Sequence, residues 1–183
     1  DFAYDEKTQY LRERLLKFMD TDVFPAESAL HAPGGGGHEP FTRPAAIKEL
    51  QAKARELGLW NLFLPHNPRG GGLTNLQYAP LAEITGWVPQ LAPEALNCNA
   101  PDTGNMEVLT DFGTPEQRER WLTPLLNAEI RSAFAMTEPD VASSDARNIS
   151  TEIRREGDEY VINGRKGWTT GAMDPNCKSF IVM

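Results

Sequence analysis

Cysteine and histidine are scarce in this chain, and their scarcity excludes several kinds of site. The 183 residues include two cysteines, Cys98 and Cys177, and three histidines. The cysteines lie far apart, with no second cysteine or histidine at metal-ligand spacing. A disulfide framework and a zinc site are therefore not expected, and a reducing compartment is the simplest interpretation. The histidines are predicted to lie in surface loops rich in proline and glycine (His31, His38 and His66).

Positive charge and long apolar runs are also lacking. Lysine and arginine number 18 against 26 aspartates and glutamates, which gives a net charge of −8. The basic residues are scattered among acidic ones, so general affinity for nucleic acid is excluded. No apolar stretch approaches the length of a membrane-spanning helix, and the N-terminus lacks the features of a signal peptide. These absences predict no membrane span and a cytoplasmic location.

The chain does contain enough apolar material for a core. Forty per cent of its residues are hydrophobic, including four tryptophans and eight phenylalanines. A length of 183 residues suffices for one ordinary domain, or for one domain and part of another. Because the first residue is Asp1 rather than methionine, we expect the natural start to lie upstream.

Helical patterns fill the chain as far as about residue 130. Apolar residues recur at helical spacing over residues 5–24, and Pro25 is expected to end that helix. Thr74 and Thr114 each begin a capping box, with glutamine three residues later. The helix that follows Thr114 is expected to break at Pro124. The sequence thus predicts an all-α domain over residues 1–130.

Strand patterns replace the helical ones in residues 131–183. Residues 132–136 suit a strand, and two alternating segments bracket Gly157 and Asp158 as in a β-hairpin. Asn163-Gly164 is a tight-turn signal that is expected to lead into a strand through Trp168. Residues 178–183 suit a further strand that reaches the end of the chain. Because an unpaired apolar edge is a liability, we expect this second domain to be incomplete here.

A loop of small, hydroxyl-bearing and acidic residues follows the first of these strands, over residues 134–144. Small side chains let backbone N–H groups and hydroxyls approach an uncharged, planar, polar ligand. Trp168 adds a flat aromatic face beside the hydroxyls of Thr169 and Thr170. A polar ring edge and an aromatic wall are what a tricyclic flavin needs. From the residues alone, an ordinary strand, loop and core tryptophan fit equally well.

Three motifs resemble those of a known family. Met-Thr-Glu-Pro at residues 136–139, Ser-Ser-Asp at 143–145 and Lys-Gly-Trp-Thr-Thr at 166–170 resemble the flavin-binding signature of the acyl-CoA dehydrogenases. Residues 99–107 resemble the branch whose animal members are acyl-CoA dehydrogenases 10 and 11. The resemblance covers nearly the whole chain. It implies an α+β fold: a helical N-terminal domain, the first part of an antiparallel β-barrel-like middle domain, and an absent C-terminal helical bundle.

The resemblance also implies a cofactor, FAD, and residues that hold it. The backbones of Phe134 and Met136 and the hydroxyl of Thr137 are expected to face the polar pyrimidine edge of the flavin. Trp168 is expected to cover a flavin face or edge, with Thr169 and Thr170 hydrogen bonding near N5 and C4=O.

Ser143 and Ser144 are expected where the flavin meets the acyl thioester, and Ser144 is preferred for the acyl-CoA contact. Their loop is one residue longer than the commonest family pattern, which leaves open which serine takes that role. Asp102 and Asn105 lie on a helix that borders the acyl pocket in the family, where polar groups suit a substituted acyl chain. Helix capping by Asp102 is an alternative that fits at least as well.

The expected activity is FAD-dependent α,β-dehydrogenation of acyl-CoA thioesters in fatty acid β-oxidation, an oxidation of a CH–CH donor. The catalytic base belongs to the C-terminal domain of the family, so no catalytic residue is assigned and this chain is expected to be catalytically incomplete. Glu138 and Asp140 are expected to have loop and capping roles, because carboxylates beside a flavin oppose its reduction.

The resemblance implies electron-transfer flavoprotein or a similar acceptor as partner, a homodimer or homotetramer at full length, and a mitochondrial or peroxisomal location in a eukaryote. Two alternatives stay open. One is a flavin oxidase or monooxygenase of the same fold. The other is a non-catalytic helical interaction module, in which Trp168 is a core or partner contact.

Overall fold

The structure is a computed structural model that describes residues 3–31, 45–65 and 67–183. Helices come first along the chain and strands follow, as predicted. The helices are α1 Glu6–Phe18, α2 Phe24–His31, α3 Ala46–Glu56, α4 Asn75–Thr85, α5 Ala92–Ala95, α6 Asp102–Phe112, α7 Pro115–Gln117 and α8 Thr123–Leu126. The strands are β1 Arg131–Ala135, β2 Glu152–Glu156, β3 Glu159–Asn163 and β4 Cys177–Val182. His31 ends α2 rather than lying in a loop, and His38 and His66 lie outside the described residues.

Two prolines that were expected to end helices lie inside continuous helical stretches. Pro25 is the second residue of α2, and Pro124 is the second residue of α8. Each follows a five-residue π-helical turn, Met19–Val23 in one case and Arg118–Leu122 in the other. The residue just before each proline donates its N–H to the carbonyl five residues back. This shift in hydrogen-bond register accommodates a residue that has no N–H, so both predicted helix breaks are wrong.

Local signals at helix starts behave as predicted. Thr74 and Thr114 each accept a hydrogen bond from the backbone N–H three residues on, and the glutamine at that position bonds back to the threonine N–H. Each capping box thus satisfies two backbone donors that the first helical turn leaves without partners.

Among the residues that the structure describes, two apolar clusters form the helical core. The larger lies mainly between α1, α3, α4 and α5, and it includes Leu15, Phe18, Leu59, Leu81 and Leu91. The smaller joins α6 to the α8 region and consists of Leu64, Met106, Leu122, Leu125 and Leu126. The smaller cluster therefore supports the helix that precedes β1.

The β region contains two strand pairs. β2 and β3 form the predicted antiparallel hairpin, with Ile153 opposite Ile162 and Gly157 at a positive φ of 64° in the turn. β1 pairs with β4 in parallel. The strand expected after Asn163-Gly164 is absent, since residues 164–169 are irregular. Gly164 instead lies against Thr151: a Cβ built on it would be 2.9 Å from the Thr151 Cα.

Helices long and apolar enough to cross a membrane do not occur in residues 3–31, 45–65 or 67–183.

Candidate functional site

The N-terminal end of β1 is fixed to α6 by buried polar side chains. The Asp102 carboxylate accepts hydrogen bonds from the Ser132 N–H at 2.8 Å and from the Ser132 hydroxyl at 2.6 Å. The Asn105 amide donates to the Ser132 hydroxyl at 2.8 Å and to the Ala133 carbonyl at 3.2 Å. Both α6 side chains are buried. The helical domain therefore holds the first strand of the β region by hydrogen bonds to its backbone.

Arg131 completes this buried cluster. Its Nε lies 2.9 Å from the Asp102 carboxylate, and its Nη2 lies 2.8 Å from the Glu94 carboxylate. All three side chains are at most 10 % exposed. Burial raises the pKa of Asp102, while Arg131 and the hydrogen bonds from Ser132 act in the opposite direction. Because each carboxylate is removed from water, the guanidinium between them offsets a large desolvation cost.

These contacts correct one expectation for Asp102 and leave another as a prediction. The N-cap of α6 is Pro101, and no side chain caps the helix there, so capping of α6 by Asp102 is wrong. Its carboxylate is engaged by Arg131 and Ser132 instead. Substrate contact by Asp102 and Asn105 stays a prediction; the contacts described are with β1.

The other end of β1 leads into a third buried carboxylate, that of Glu138. One oxygen accepts from the N–H and hydroxyl of Ser150, at 2.9 and 2.5 Å. The other accepts from the N–H and hydroxyl of Thr151, at 2.9 and 2.6 Å, and from Lys166 Nζ at 2.8 Å. We call these four residues the Glu138 clamp. It joins three segments that are separate in sequence: the loop after β1, the entry to the hairpin, and the segment before Trp168.

The clamp supports the expected loop role of Glu138. Hydrogen bonds from Lys166, and then from Ser150 and Thr151, hold the pKa of Glu138 far below its usual range. A carboxylate with five donors is a poor proton acceptor, so it is unsuited to be a general base. The neighbouring Asp140 is exposed.

The pH dependence of stability tests this clamp. The folded-state pKa of Glu138 lies below the ordinary value of a glutamate, about 4.3. The ionised side chain therefore contributes its full stabilisation of the fold at pH values above that ordinary pKa. The contribution is lost as pH falls through the folded-state pKa. We expect Glu138→Gln to lower the melting temperature at pH 7, and the difference from the unmodified chain to shrink as pH falls below about 4. A difference that stayed constant down to the acid-unfolding range would contradict the clamp.

The two serines of the loop have different surroundings. Ser143 is buried, and its hydroxyl accepts the Glu138 N–H at 2.8 Å, which closes the loop. Ser144 is exposed. The geometry therefore gives Ser143 an internal contact and leaves the Ser144 side chain accessible.

The segment that carries Trp168 follows one edge of β1. Gly167 donates its N–H to the Thr137 carbonyl at 2.9 Å, beyond the C-terminal end of β1. A Cβ built on Gly171 would lie 3.4 Å from the Ser132 carbonyl, near the strand's N-terminal end. The two segments thus run in opposite directions, with Trp168 to Thr170 between these two contacts.

That edge of β1 is the one that β4 does not use. The Met183 N–H donates to the Ala135 carbonyl, so the backbone groups of Ala133 and Ala135 point towards β4. Alternate residues direct their backbone groups to opposite edges, so Phe134 and Met136 point the other way. In the part of the chain that the structure describes, β4 is the one strand paired with β1.

The side chains along this edge are accessible. Trp168 is 94 % exposed and Phe134 is 37 % exposed, while the side chains of Thr137 and Thr170 are also exposed and Thr169 is half-buried. The structure thus brings Phe134, Met136 and Thr137 beside the segment of Trp168, while contact of these residues with a flavin stays a prediction. It places Asp102 and Asn105 under the opposite end of β1.

Sequence reasoning missed two parts of this arrangement. No sequence motif includes Arg131, and its partner Glu94 lies 37 residues earlier in the chain. Lys166 was noted in a motif without a role. Its ion pair with Glu138 joins residues that are 28 positions apart, so the local sequence around Lys166 could not predict it.

Comparison with known families decides the relationship. The model of the acyl-CoA dehydrogenase N-terminal domain matches residues 5–129, and that of the acyl-CoA dehydrogenase middle domain matches residues 133–183. The chain belongs to the acyl-CoA dehydrogenase family. The resemblance seen in its motifs is thereby confirmed.

Relatives within the acyl-CoA dehydrogenases include the expected branch. The chain is 59 % identical over 187 residues to "Probable acyl-CoA dehydrogenase FadE2" of Mycobacterium tuberculosis, covering 100 % of this chain and 44 % of the relative. It is 48 % identical to acyl-CoA dehydrogenase family member 11 of Gallus gallus, covering 100 % of this chain and 23 % of the relative. The chain therefore spans less than half the length of these curated relatives.

Solved structures show the same architecture. A protein from Mycobacterium abscessus assigned to the acyl-CoA dehydrogenases superposes with a TM-score of 0.90 at 49 % identity, covering 98 % of this chain and 46 % of that one. Butyryl-CoA dehydrogenase from Megasphaera elsdenii gives a TM-score of 0.64 at 24 % identity, covering 100 % of this chain and 45 % of that one. The second likeness concerns the fold alone.

Proposed function

We propose that this chain forms part of the flavin and acyl-CoA site of an FAD-dependent acyl-CoA dehydrogenase that oxidises acyl thioesters in fatty acid β-oxidation. The observation that carries the proposal is the open edge of β1, which faces the segment of the exposed Trp168. We place the domain boundary at residues 130/131, where the helical core ends and β1 begins.

The groups along this edge fit FAD. The polar pyrimidine edge of a flavin needs hydrogen-bond donors, and the N–H groups of Phe134 and Met136 point to this side of β1. The Thr137 hydroxyl adds a further donor, and Trp168 supplies an aromatic face. Donors at N1 and C2=O stabilise the negative charge that develops on reduction, and hydrogen bonds to charged groups contribute about 1.5–3 kcal/mol each.

Substrate contact is proposed for Ser144, because its side chain is exposed whereas the Ser143 hydroxyl accepts the Glu138 N–H. When bound, FAD accepts the hydride that leaves the β-carbon of the acyl chain. The carboxylate that removes the α-proton is proposed to lie outside these 183 residues, in keeping with the share of its relatives that the chain spans. Glu138 is engaged by five donors and is not proposed for that role.

Partners are proposed on the same basis: acyl-CoA as substrate, electron-transfer flavoprotein or a similar acceptor, and a homodimer or homotetramer at full length. A fold relative, glutaryl-CoA dehydrogenase from Mycobacterium smegmatis, was solved in complex with FADH2.

The test of the proposed function is the visible spectrum of the full-length gene product. We expect flavin bands in the blue and near ultraviolet that acyl-CoA bleaches without oxygen. A folded, colourless protein that takes up no FAD would refute the proposal.

Trp168 offers a sharper test of the cofactor position. Because its side chain is almost fully exposed, Trp168→Ala should change the free energy of unfolding of the flavin-free chain by less than about 0.5 kcal/mol. In the full-length protein it should weaken FAD binding by about twofold to tenfold, since aromatic contact contributes about 0.5–1.5 kcal/mol. The matched control is Trp87→Ala, at a half-exposed tryptophan in the helical region. Equal FAD affinity in both variants would remove Trp168 from the site.

A further inference from the structure

The backbone of Trp168 adopts a conformation that needs support. Its φ is +54°, in the left-handed region that bulky residues rarely occupy. Its side chain is 94 % exposed, so packing of the indole does not supply that support. Residues held in this region persist only where their surroundings determine the conformation. The support must therefore come from the residues on either side of Trp168.

The residues just before Trp168 are anchored to the loop after β1. Gly167 donates its N–H to the Thr137 carbonyl at 2.9 Å. Lys166 Nζ donates to the Met136 carbonyl at 3.1 Å and to the Glu138 carboxylate at 2.8 Å. The Lys166 side chain is 14 % exposed, so its ion pair is largely shielded from water.

The anchor is rigid because Glu138 is itself held on every side. The Ser150 and Thr151 backbones and hydroxyls occupy its two oxygens, and its own N–H donates to Ser143. A side chain locked by several hydrogen bonds holds its partner in one place, which is how supporting groups fix a binding site.

We infer that Glu138 is a positioning residue: through Lys166 it holds the left-handed backbone conformation of Trp168, which presents this side chain along the open edge of β1. That Trp168 meets a flavin there rests on the proposed function; the positioning itself does not. Glu138 acts through Lys166 and touches neither cofactor nor substrate in this scheme.

The positioning is tested in the flavin-free chain with 5-fluorotryptophan. The four tryptophans give four fluorine resonances, and Trp168→Phe identifies the one from residue 168. We expect Glu138→Gln to shift or split that resonance and to leave the other three unchanged. A purely structural role would lower the melting temperature while the native Trp168 resonance stayed in place, and that result would overturn the inference. Glu159→Gln, at an exposed hairpin carboxylate, is the matched control and should move none of the four.

Lys166→Met keeps the test decisive if Glu138→Gln does not fold. It leaves the hydrogen bonds of Ser150 and Thr151 to Glu138 intact, and it should alter the Trp168 resonance in the same way. Lys166→Arg retains a cationic donor and should largely restore the resonance. An unaltered Trp168 resonance in folded Lys166→Met would overturn the inference.

FAD binding by the full-length protein separates this inference from the proposed function. Glu138→Gln should weaken FAD binding by no more than Trp168→Ala does, at most about tenfold, because Glu138 acts only through Trp168. In a Trp168→Ala background the same change should have no further effect, because Glu138 acts through Trp168. If the two substitutions had additive effects on FAD binding, Glu138 would not act through Trp168, and the inference would be overturned. If the unmodified protein took up no FAD, the proposed function would fail, and the fluorine resonances would still decide the positioning.

Discussion

Replacing Arg131 by methionine is expected to lower the free energy of unfolding by about 3–5 kcal/mol, because it leaves two buried carboxylates without the guanidinium between them. Methionine retains much of the apolar stem, so loss of charge dominates over loss of packing. Arg154 provides a matched control, since it also lies between two carboxylates, Glu152 and Glu156, but on the exposed hairpin. Arg154→Met should cost less than about 1 kcal/mol. Urea denaturation of the three proteins measures both values.

The Arg131→Met variant should also become more stable as pH falls. Burial raises the pKa of Asp102, and removal of the nearby cation raises it further. The native state then takes up a proton at a higher pH than the unfolded state. The free energy of unfolding therefore rises as pH falls through the folded-state pKa towards the ordinary value of about 3.9. Equal costs for Arg131→Met and Arg154→Met at all pH values would contradict the buried cluster.

Gly164→Ala is expected to destabilise the chain by about 2–3 kcal/mol, the cost of forcing extra volume into a packed site. The added methyl would lie 2.8 Å from the Thr151 Cβ and 2.9 Å from its Cα, so the Thr151 backbone would have to move. Thr151 donates two hydrogen bonds to Glu138, so the change also disturbs the Glu138 clamp. Thermal unfolding measures the loss.

Gly167→Ala is the control for this change. A methyl there has no atom within 4 Å, and Gly167 is not at a positive φ. The variant should unfold within about 0.5 kcal/mol of the unmodified chain. If Gly164→Ala were as stable as Gly167→Ala, the close approach of Gly164 to Thr151 would be wrong.

Features that depend on neighbours in sequence were predictable. The capping boxes at Thr74 and Thr114 and the hairpin at Gly157 each follow from three or four adjacent residues. The breaks predicted at Pro25 and Pro124 failed because a proline's effect depends on the turn before it. Met19–Val23 and Arg118–Leu122 carry no obvious composition signal for a π-helical turn.

The candidate site was predictable in part. The motifs of Thr137 and Trp168 were each expected to contact a flavin, which stays a prediction. The structure shows that the Gly167 N–H bonds the Thr137 carbonyl. The ion pair between Arg131 and Asp102 was not predicted. Its two residues are 29 positions apart, and such a pair produces no periodic pattern in the sequence. The strand expected through Trp168 also failed. A tight-turn dipeptide such as Asn163-Gly164 indicates that the backbone can turn sharply, but it does not require a strand to follow. Here Gly164 allows close contact with Thr151, since a side chain would clash there.

The π-helical turns affect how relatives should be aligned with this chain. Each turn holds one residue more than an α-helical turn would, and each residue of an α-helix rotates the chain by about 100°. Side chains after Val23 and after Leu122 are therefore out of phase with those before Met19 and Arg118. In a relative that has a plain α-helix at either place, a one-residue gap belongs inside the turn, several positions before the proline. Placing it at the proline would pair core side chains with solvent-facing ones.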